Sequence, residues 1–228
     1  MVPKPVLGLR RESIGFAIGS VLFAVGAVPG YAQAVGIRAD NITYFVGSLF
    51  FTTAAAIQLW LSGRIPPSSE AHRVDRYDWY SAAIQFAGTL AFNVSTGSAL
   101  VVSLTAEQEH RWVWRPDMVG STAFLVSSAL AVVATTETDK LWDPRARNWV
   151  SSWLGMLGSI AFGVSAVAAF VDPSTGELRN ASVANLGTFL GALCFLGAAL
   201  LTLPPEDPDR TRPRSFADRW RARLTRRG

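Results

Sequence analysis

Few side chains in this 228-residue chain could do acid–base, nucleophilic or metal chemistry. The chain has two histidines, His72 and His110, and one cysteine, Cys194. A single cysteine excludes a disulfide within the chain and a metal site built from several thiolates. A histidine site would have to recruit carboxylates from separate connectors. The sequence therefore predicts no metal, no cofactor and no enzyme activity.

The densest polar cluster is the stretch TAEQEHRWVWRP at residues 105–116. Two interpretations stay open for it. Glu107, Glu109 and His110 are residue types that bind ligands or metals, whereas Trp112 and Trp114 are typical of membrane-interface anchors on a solvated loop. One histidine beside two carboxylates often arises by chance, which favours the solvated loop.

Polar side chains inside apolar stretches are the other candidates. Asn93 lies in the middle of the third apolar stretch, and its expected role is an interhelical hydrogen bond worth about 0.6 kcal/mol. A functional role is the alternative. Gln58 and Gln85 are expected to reach one membrane interface, and Asn185 the opposite one. No charged side chain is expected to be buried in a span, which disfavours proton-coupled transport.

A nine-residue template positions these residues, because one copy sits near the middle of each of six apolar stretches. It has Gly, a small residue, two free positions, Phe, two free positions and two small residues, as in GSIAFGVSA from Gly158. At 100° per residue these positions share one helical face. The predicted helix-packing residues are Gly19, Phe23, Gly47, Phe51, Gly88, Phe92, Gly120, Phe124, Gly158, Phe162, Gly191 and Phe195.

Composition places the chain in the membrane class, since 50% of its residues are hydrophobic and only 17% are charged. About 20 residues are needed to cross a hydrocarbon core. The predicted fold is all-α, with six transmembrane helices at 13–33, 43–62, 79–102, 117–136, 149–171 and 183–203. Asp40, Asn41 and Asp78 are expected to cap the starts of the second and third spans.

The template glycines are spaced as a higher repeat. Gly19, Gly88 and Gly158 lie 69 and 70 residues apart, which predicts three parallel two-helix hairpins at about 10–70, 76–142 and 146–204. Residues 1–204 are the predicted membrane domain, and residues 205–228 a separate basic tail.

Charge predicts the orientation of the chain. Seventeen of its lysines and arginines lie at the termini and on the second and fourth connectors, and four lie on the other connectors. The positive-inside rule then places both termini in the cytoplasm, and the predicted location is the plasma (inner) membrane. A rival interpretation of the first stretch is a signal peptide, with Arg10-Arg11 before it and Ala32-Gln33-Ala34 after it. The template copy at Gly19 favours a retained helix.

The pattern of the C-terminal tail predicts that it binds the membrane surface. Phe216, Trp220 and Leu224 recur at spacings of four among arginines, which is typical of a basic amphipathic helix on anionic lipid. A disordered basic tail is the alternative. The expected partners are the lipid bilayer and a protein partner or a second copy of the chain, and no nucleic acid.

The segments IGSVLF, VGSLFF and LGSIAF resemble the YrhK-like domain family, small bacterial membrane modules of two helices with a similar GS-x-x-F core. The resemblance covers the middle of each hairpin and implies fold and location only. It implies no activity and no functional residue.

Two functional classes follow. A structural or interaction protein of the membrane is favoured by the packing template. A passive pathway for a small uncharged solute is the alternative, with Ser20, Ser48, Thr89, Ser121 and Ser159 along a threefold axis. A continuous cavity lined by Ser20, Asn93 and Ser159 would support the pathway, and a filled centre would remove it.

Overall fold

The computed structural model describes residues 5–63, 65–101, 103–138 and 143–204. The predicted amphipathic tail helix lies outside the described residues. The described chain is helical, and its one β-type pairing is a bridge between Val171 and Leu178. The prediction of an all-α chain is confirmed.

Among the described residues, six α-helices are long and two are short. The long helices are α1 (Val6–Gly26), α3 (Ile37–Ser62), α4 (Arg73–Ser98), α6 (Arg115–Thr138), α7 (Arg147–Ala168) and α8 (Ala181–Thr202). The short helix α2 (Tyr31–Val35) lies between α1 and α3. A second short helix, α5 (Ala106–Glu109), continues through a π-helical turn, His110–Trp114, directly into α6.

The long helices form a closed ring. The sequential pairs α1 and α3, α4 and α6, and α7 and α8 pack most extensively, and α3 with α4, α6 with α7, and α8 with α1 close the ring. We call the end of this bundle where α1, α4 and α7 begin the lower end, and the opposite one the upper end.

Several predicted helix starts are wrong. The second span begins earlier than residue 43, because Gly36 adopts φ 88° and α3 starts directly after it, with no side-chain cap. Asp40 and Asn41 therefore lie inside α3. Likewise α4 begins at Arg73, where His72 Nδ1 accepts a hydrogen bond from the Val74 N–H, so Asp78 is not the cap. Hydropathy marks the apolar part of a helix, whereas these helices extend beyond it.

The first helix is displaced from its predicted span of 13–33. It starts at Val6, ends at Gly26 and is followed by a turn in which Gly30 adopts φ 90°. The start of α1 was not recognised as helical from the sequence, because Arg10, Arg11 and Glu12 separate the apolar residues Val6 to Leu9 from the long apolar stretch.

Large aliphatic side chains cover the outside of the bundle, whereas its inside combines small and hydroxyl-bearing residues with phenylalanine rings. On α7 the exposed side chains include Leu157, Ile160 and Val164, whereas Ser159 is fully buried. This inversion is typical of a protein surrounded by lipid. Within the described residues four segments are long and apolar enough to cross a membrane, namely Ile37–Ser62, Ala106–Thr136, Arg147–Ala168 and Ala181–Thr202. These four helices indicate a multi-pass membrane protein.

Candidate functional site

The template glycines face one another within each sequential helix pair. A Cβ atom built on Gly19 would lie 3.0 Å from the carbonyl oxygen of Gly47, and one on Gly158 would lie 3.0 Å from that of Gly191. Gly120 approaches the Gly88 carbonyl equally closely. Only glycine allows such a close approach of two backbones.

The template phenylalanines cover these glycines and fill the centre of the bundle. All six are buried, with exposed fractions from 1% at Phe124 to 9% at Phe195. They form two triangles of rings. Phe23, Phe92 and Phe162 form the upper triangle, with ring centroids 5.9 to 6.4 Å apart.

The lower triangle consists of Phe51, Phe124 and Phe195, at 5.6 to 6.3 Å. Within each helix pair the two rings meet edge to face, for example Phe92 on Phe124 at 5.1 Å and 90°. This is a favourable aromatic geometry. We call the six rings the aromatic layer.

The template hydroxyls do not line a lumen. Ser20, Ser48, Thr89 and Ser159 are fully buried, and Ser121 is 2% exposed. Ser48 Oγ contacts Thr96 Oγ1 of the neighbouring α4 at 3.0 Å, and Ser159 Oγ contacts Ser128 Oγ of α6 at 2.7 Å. These contacts tie adjacent helix pairs together.

Asn93 does not make the predicted interhelical hydrogen bond. Its Oδ1 is buried and accepts no hydrogen bond from the described residues, and the same is true of Ser20 Oγ. No described side chain or backbone N–H donates to Asn93 Oδ1. Asn185 lies exposed near the upper end of α8.

Below the aromatic layer the bundle holds a chamber of about 620 Å³. All six long helices contribute to it. Phe16 and Phe195 line its inner end, next to the aromatic layer. Gln58 and Gln85 line this chamber, where the sequence predicted only side chains reaching the interface. Gln85 Oε1 accepts a hydrogen bond from Ser127 Oγ at 3.2 Å, whereas Gln58 Oε1 is buried and accepts none.

The stretch at residues 105–116 is helical from Ala106, so the predicted loop conformation is wrong, whereas Glu107, Arg111 and Trp112 are exposed as that interpretation predicted. Thr105 and Gln108 form a capping box at the start of α5. His110 Nδ1 lies 2.9 Å from the Val171 carbonyl oxygen, and Trp114 Nε1 donates to the Ala166 carbonyl oxygen at 2.9 Å. The His110 ring stacks on Trp114 at 4.7 Å. These contacts fasten the upper end of α6 to α7 and its connector.

Asp172 starts a tight turn in that connector. Hydrogen bonds from the Ser174 hydroxyl and N–H, at 2.6 and 2.8 Å, hold the pKa of its carboxyl below the ordinary value of 3.8, and the nearby His110 acts in the same direction.

One buried carboxyl was missed from the sequence. Asp40 lies in the first turn of α3, is 8% exposed, and its Oδ1 accepts no hydrogen bond from the described residues. Asp40 lies three residues before the predicted second span of 43–62, so the expectation that no charged residue is buried in a span does not cover it. The one sequence signal was Gly26, whose missing side chain leaves room for Asp40 Oδ1 and for the Tyr44 ring.

The chain matches no protein-family model, no curated protein and no solved structure. The resemblance to the YrhK-like domain family therefore stays a prediction from the template segments.

Proposed function

We propose that this protein is a six-span, non-catalytic membrane protein whose bundle is closed at its centre and whose role is structural or is interaction with a partner in the membrane. It lies in the bacterial inner membrane with both termini in the cytoplasm, as the loop charges predict. The observation that carries the proposal is the aromatic layer, which occupies the axis where a solute would have to pass.

The alternative, a passive pathway for a small uncharged solute, loses its main support at this layer. Its expected lining residues Ser20, Asn93 and Ser159 are absent from the lining of the chamber. The Ser159 hydroxyl donates a hydrogen bond to the Phe124 carbonyl oxygen and contacts Ser128 Oγ. A pathway would require all six rings to separate, which would remove the packing that joins the three helix pairs.

Six spans are proposed because α1 and α4 take the same places in the ring as the apolar helices. Each presents an apolar outer face, with Ile14, Ile18 and Val21 exposed on α1 and with Leu90 and Val94 exposed on α4. Each also contributes one ring to the upper triangle. Three helical hairpins account for this arrangement, because each hairpin contributes one phenylalanine ring to the upper triangle and one to the lower triangle.

A non-catalytic role is supported by what the reactive residue types do. His72 caps α4, and His110 is held between Trp114 and the Val171 carbonyl oxygen. Cys194 packs in the α7–α8 contact, where its Cβ lies 3.2 Å from the position of a Cβ on Gly158.

The proposal is tested by solute flux. The purified chain is reconstituted in liposomes, and the entry of glycerol and of urea is followed by stopped-flow light scattering. We expect the rates of protein-free liposomes. The proposal would be overturned if the unaltered chain gave faster entry than protein-free liposomes and if Phe124→Ala raised the rate further. The matched outward-facing variant Leu125→Ala should not raise it, and this pattern would establish a pathway through the aromatic layer.

A further inference from the structure

A second layer of side chains crosses the bundle about one helical turn above the aromatic layer. Its members lie three residues after the phenylalanines of the upper triangle and seven residues before those of the lower triangle. These offsets keep them on the inward faces of their helices. They are Gly26, Ser95 and Ser165 on α1, α4 and α7, and Tyr44, Asp117 and Thr188 on α3, α6 and α8. We call these six residues the polar layer, because all but the glycine carry a side-chain oxygen.

The register of the helix pairs brings members of the polar layer face to face. Ser165 Oγ of α7 contacts Thr188 Oγ1 of α8 at 2.8 Å. The corresponding residues of α4 and α6 are Ser95, which is 5% exposed, and Asp117, which is partly buried. These two helices pack through their template glycines in the same way as α7 and α8. A carboxyl on α6 therefore faces a hydroxyl on α4 where the α7–α8 pair has two hydroxyls.

Asp40 adds a second carboxyl about one helical turn above Tyr44. It is 8% exposed, and its Oδ1 accepts no hydrogen bond from the described residues. This oxygen lies 3.2 Å from the position of a Cβ atom on Gly26, and the Tyr44 ring lies 2.8 Å from the same point. Asp40 Oδ1 is therefore turned into the bundle, toward Tyr44. The carboxyls of Asp40 and Asp117 both act electrostatically on the Tyr44 hydroxyl, so they flank it.

The described residues leave both carboxyls uncompensated. Burial is the only influence on Asp40 and on Asp117, and no described hydrogen-bond donor or cationic side chain acts on either of them. A buried charge without a partner is costly, and proteins therefore pair it or use it to coordinate a metal ion. Oxygen atoms are the ligands that hard cations prefer. A hard cation is thus the partner that complements these two carboxyls.

We propose that a small hard inorganic cation binds at the polar layer, held by Asp117 and Asp40, with the hydroxyl oxygens of Tyr44 and Ser95 as further ligands. Its charge balances the carboxyls, and its coordination joins the α1–α3 pair to the α4–α6 pair. The prediction of no metal site was based on thiolate and imidazole ligands, which this site does not use. The inference goes beyond the proposed function and depends on the packing of the bundle, not on its topology in the membrane.

The test measures the melting temperature of the purified full-length chain in a non-ionic detergent at pH 7. Sodium chloride or calcium chloride replaces choline chloride at constant ionic strength. Choline is the reference, because it is a large and soft cation. We expect the melting temperature to rise with the concentration of sodium or of calcium, by about 5–10 °C once the ion is about 100-fold above its Kd. The ion that produces the rise identifies the charge of the bound cation.

Variants locate the site. Asp117→Asn should remove the rise, and in choline it should melt no lower than the unaltered chain, because a neutral amide is not an unpaired charge. Asp40→Asn should raise the ion concentration at the midpoint of the rise at least tenfold, and Ser95→Ala about threefold. Glu107→Gln is the matched control, because it removes an exposed carboxylate at the same end of the bundle. It should keep the full rise.

Two results would overturn the proposal. Equal melting temperatures in sodium, calcium and choline would mean that the carboxyls are protonated and bind no cation. A rise of equal size in Asp117→Asn would place the ion elsewhere on the protein. If Asp117→Asn fails to fold, Asp40→Asn serves the same comparison. Neither result bears on the flux experiment, so failure of this inference and failure of the proposed function are distinguished.

Discussion

At the residue scale, the positions without side chains set how closely the helices pack. The backbones of α7 and α8 meet at Gly158 and Gly191, and Phe195 lies against the same surface, 3.1 Å from where a Cβ on Gly158 would be. Gly163 lies five residues further along α7, and nothing is within 4 Å of the position of its Cβ. Two glycines of one helix therefore have opposite roles.

This contrast gives a matched pair of variants. Gly158→Ala should lower the melting temperature in detergent, because overpacking costs about 1–3 kcal/mol. Gly163→Ala should leave it unchanged or raise it, because alanine is favoured over glycine within a helix by about 1 kcal/mol. Gly158→Leu should be far more damaging. Equal effects of the two alanine variants would show that the glycine contact is not tight.

The buried amide of Asn93 should lower the free energy of unfolding. Replacing it by leucine, which stands at the equivalent template positions 125 and 196, removes a buried carbonyl oxygen without a donor, and we expect a stabilisation of about 1–3 kcal/mol.

Ser165→Ala is the control for Asn93. Ser165 Oγ bonds to the Ala184 carbonyl oxygen at 2.7 Å and contacts Thr188 Oγ1 at 2.8 Å, so its loss should destabilise by about 0.6 kcal/mol or more. Thermal unfolding in detergent measures both variants. Destabilisation by Asn93→Leu would instead point to a hydrogen bond or a functional role of this side chain.

The Asp172 carboxyl should titrate below its ordinary pKa of 3.8, chiefly because the Ser174 hydroxyl bonds to it. Because its folded pKa is depressed, its contribution to the stability of the connector is complete above the ordinary pKa. That contribution is lost as the pH falls through the folded value. Carboxyl ¹³C NMR in micelles measures this pKa, and Ser174→Ala should raise it toward 3.8.

Thr175→Val is the control for this titration, because only the backbone N–H of Thr175 acts on Asp172. It should leave the pKa where it is. An unchanged pKa in Ser174→Ala would mean that the hydroxyl bond does not form in solution.

At the element scale, the question is whether α1 and α4 cross the membrane with the four helices that are apolar enough by composition. Both carry charged residues in their early turns, Arg10 to Glu12 in α1 and Arg73 to Asp78 in α4. These turns lie at the lower end, which we propose to be cytoplasmic, and there they can extend beyond the hydrocarbon core without cost.

Cysteine labelling in intact cells separates the two topologies. The background is Cys194→Ala, since alanine stands at the equivalent template positions 91, 123 and 161. With six spans, a cysteine at Ser174 reacts with an impermeant maleimide from outside and one at Ser69 does not. With only the four apolar spans, residues 69 and 174 lie on the same side. Equal labelling would therefore refute the six-span topology.

At the scale of the whole molecule, the aromatic layer is where all six long helices meet. Phe124→Ala should cost about 3–5 kcal/mol of stability, because it leaves a cavity between three helix pairs. Its chain neighbour Leu125 is 38% exposed on the outside of α6, so Leu125→Ala should have little effect. Denaturant or thermal unfolding of the two variants makes the comparison. Similar mild losses would mean that the rings are loosely packed and that the layer does not hold the bundle together.

The sequence was sufficient for the parts of this protein that depend on local pattern. Apolar stretches with one small-residue face dictate helices, because every backbone group in lipid must be bonded within its own segment. The same pattern indicated which residues could approach closely, with Gly158 and Phe124 as examples. Helix ends such as Ile37 and Arg73 were misplaced, because their polar first turns carry no hydropathy signal.

Only the tertiary structure decided what depends on the joint position of several helices. No periodicity shows that Phe51, Phe124 and Phe195 meet on one axis and close it, because each lies on a different helix pair. The chamber with Glu12 and Gln58, the missing donor at Asn93 and the burial of Asp40 also arise from packing. A side chain's partners are set by residues far away in the chain, and a linear pattern contains no information on which of them it will meet.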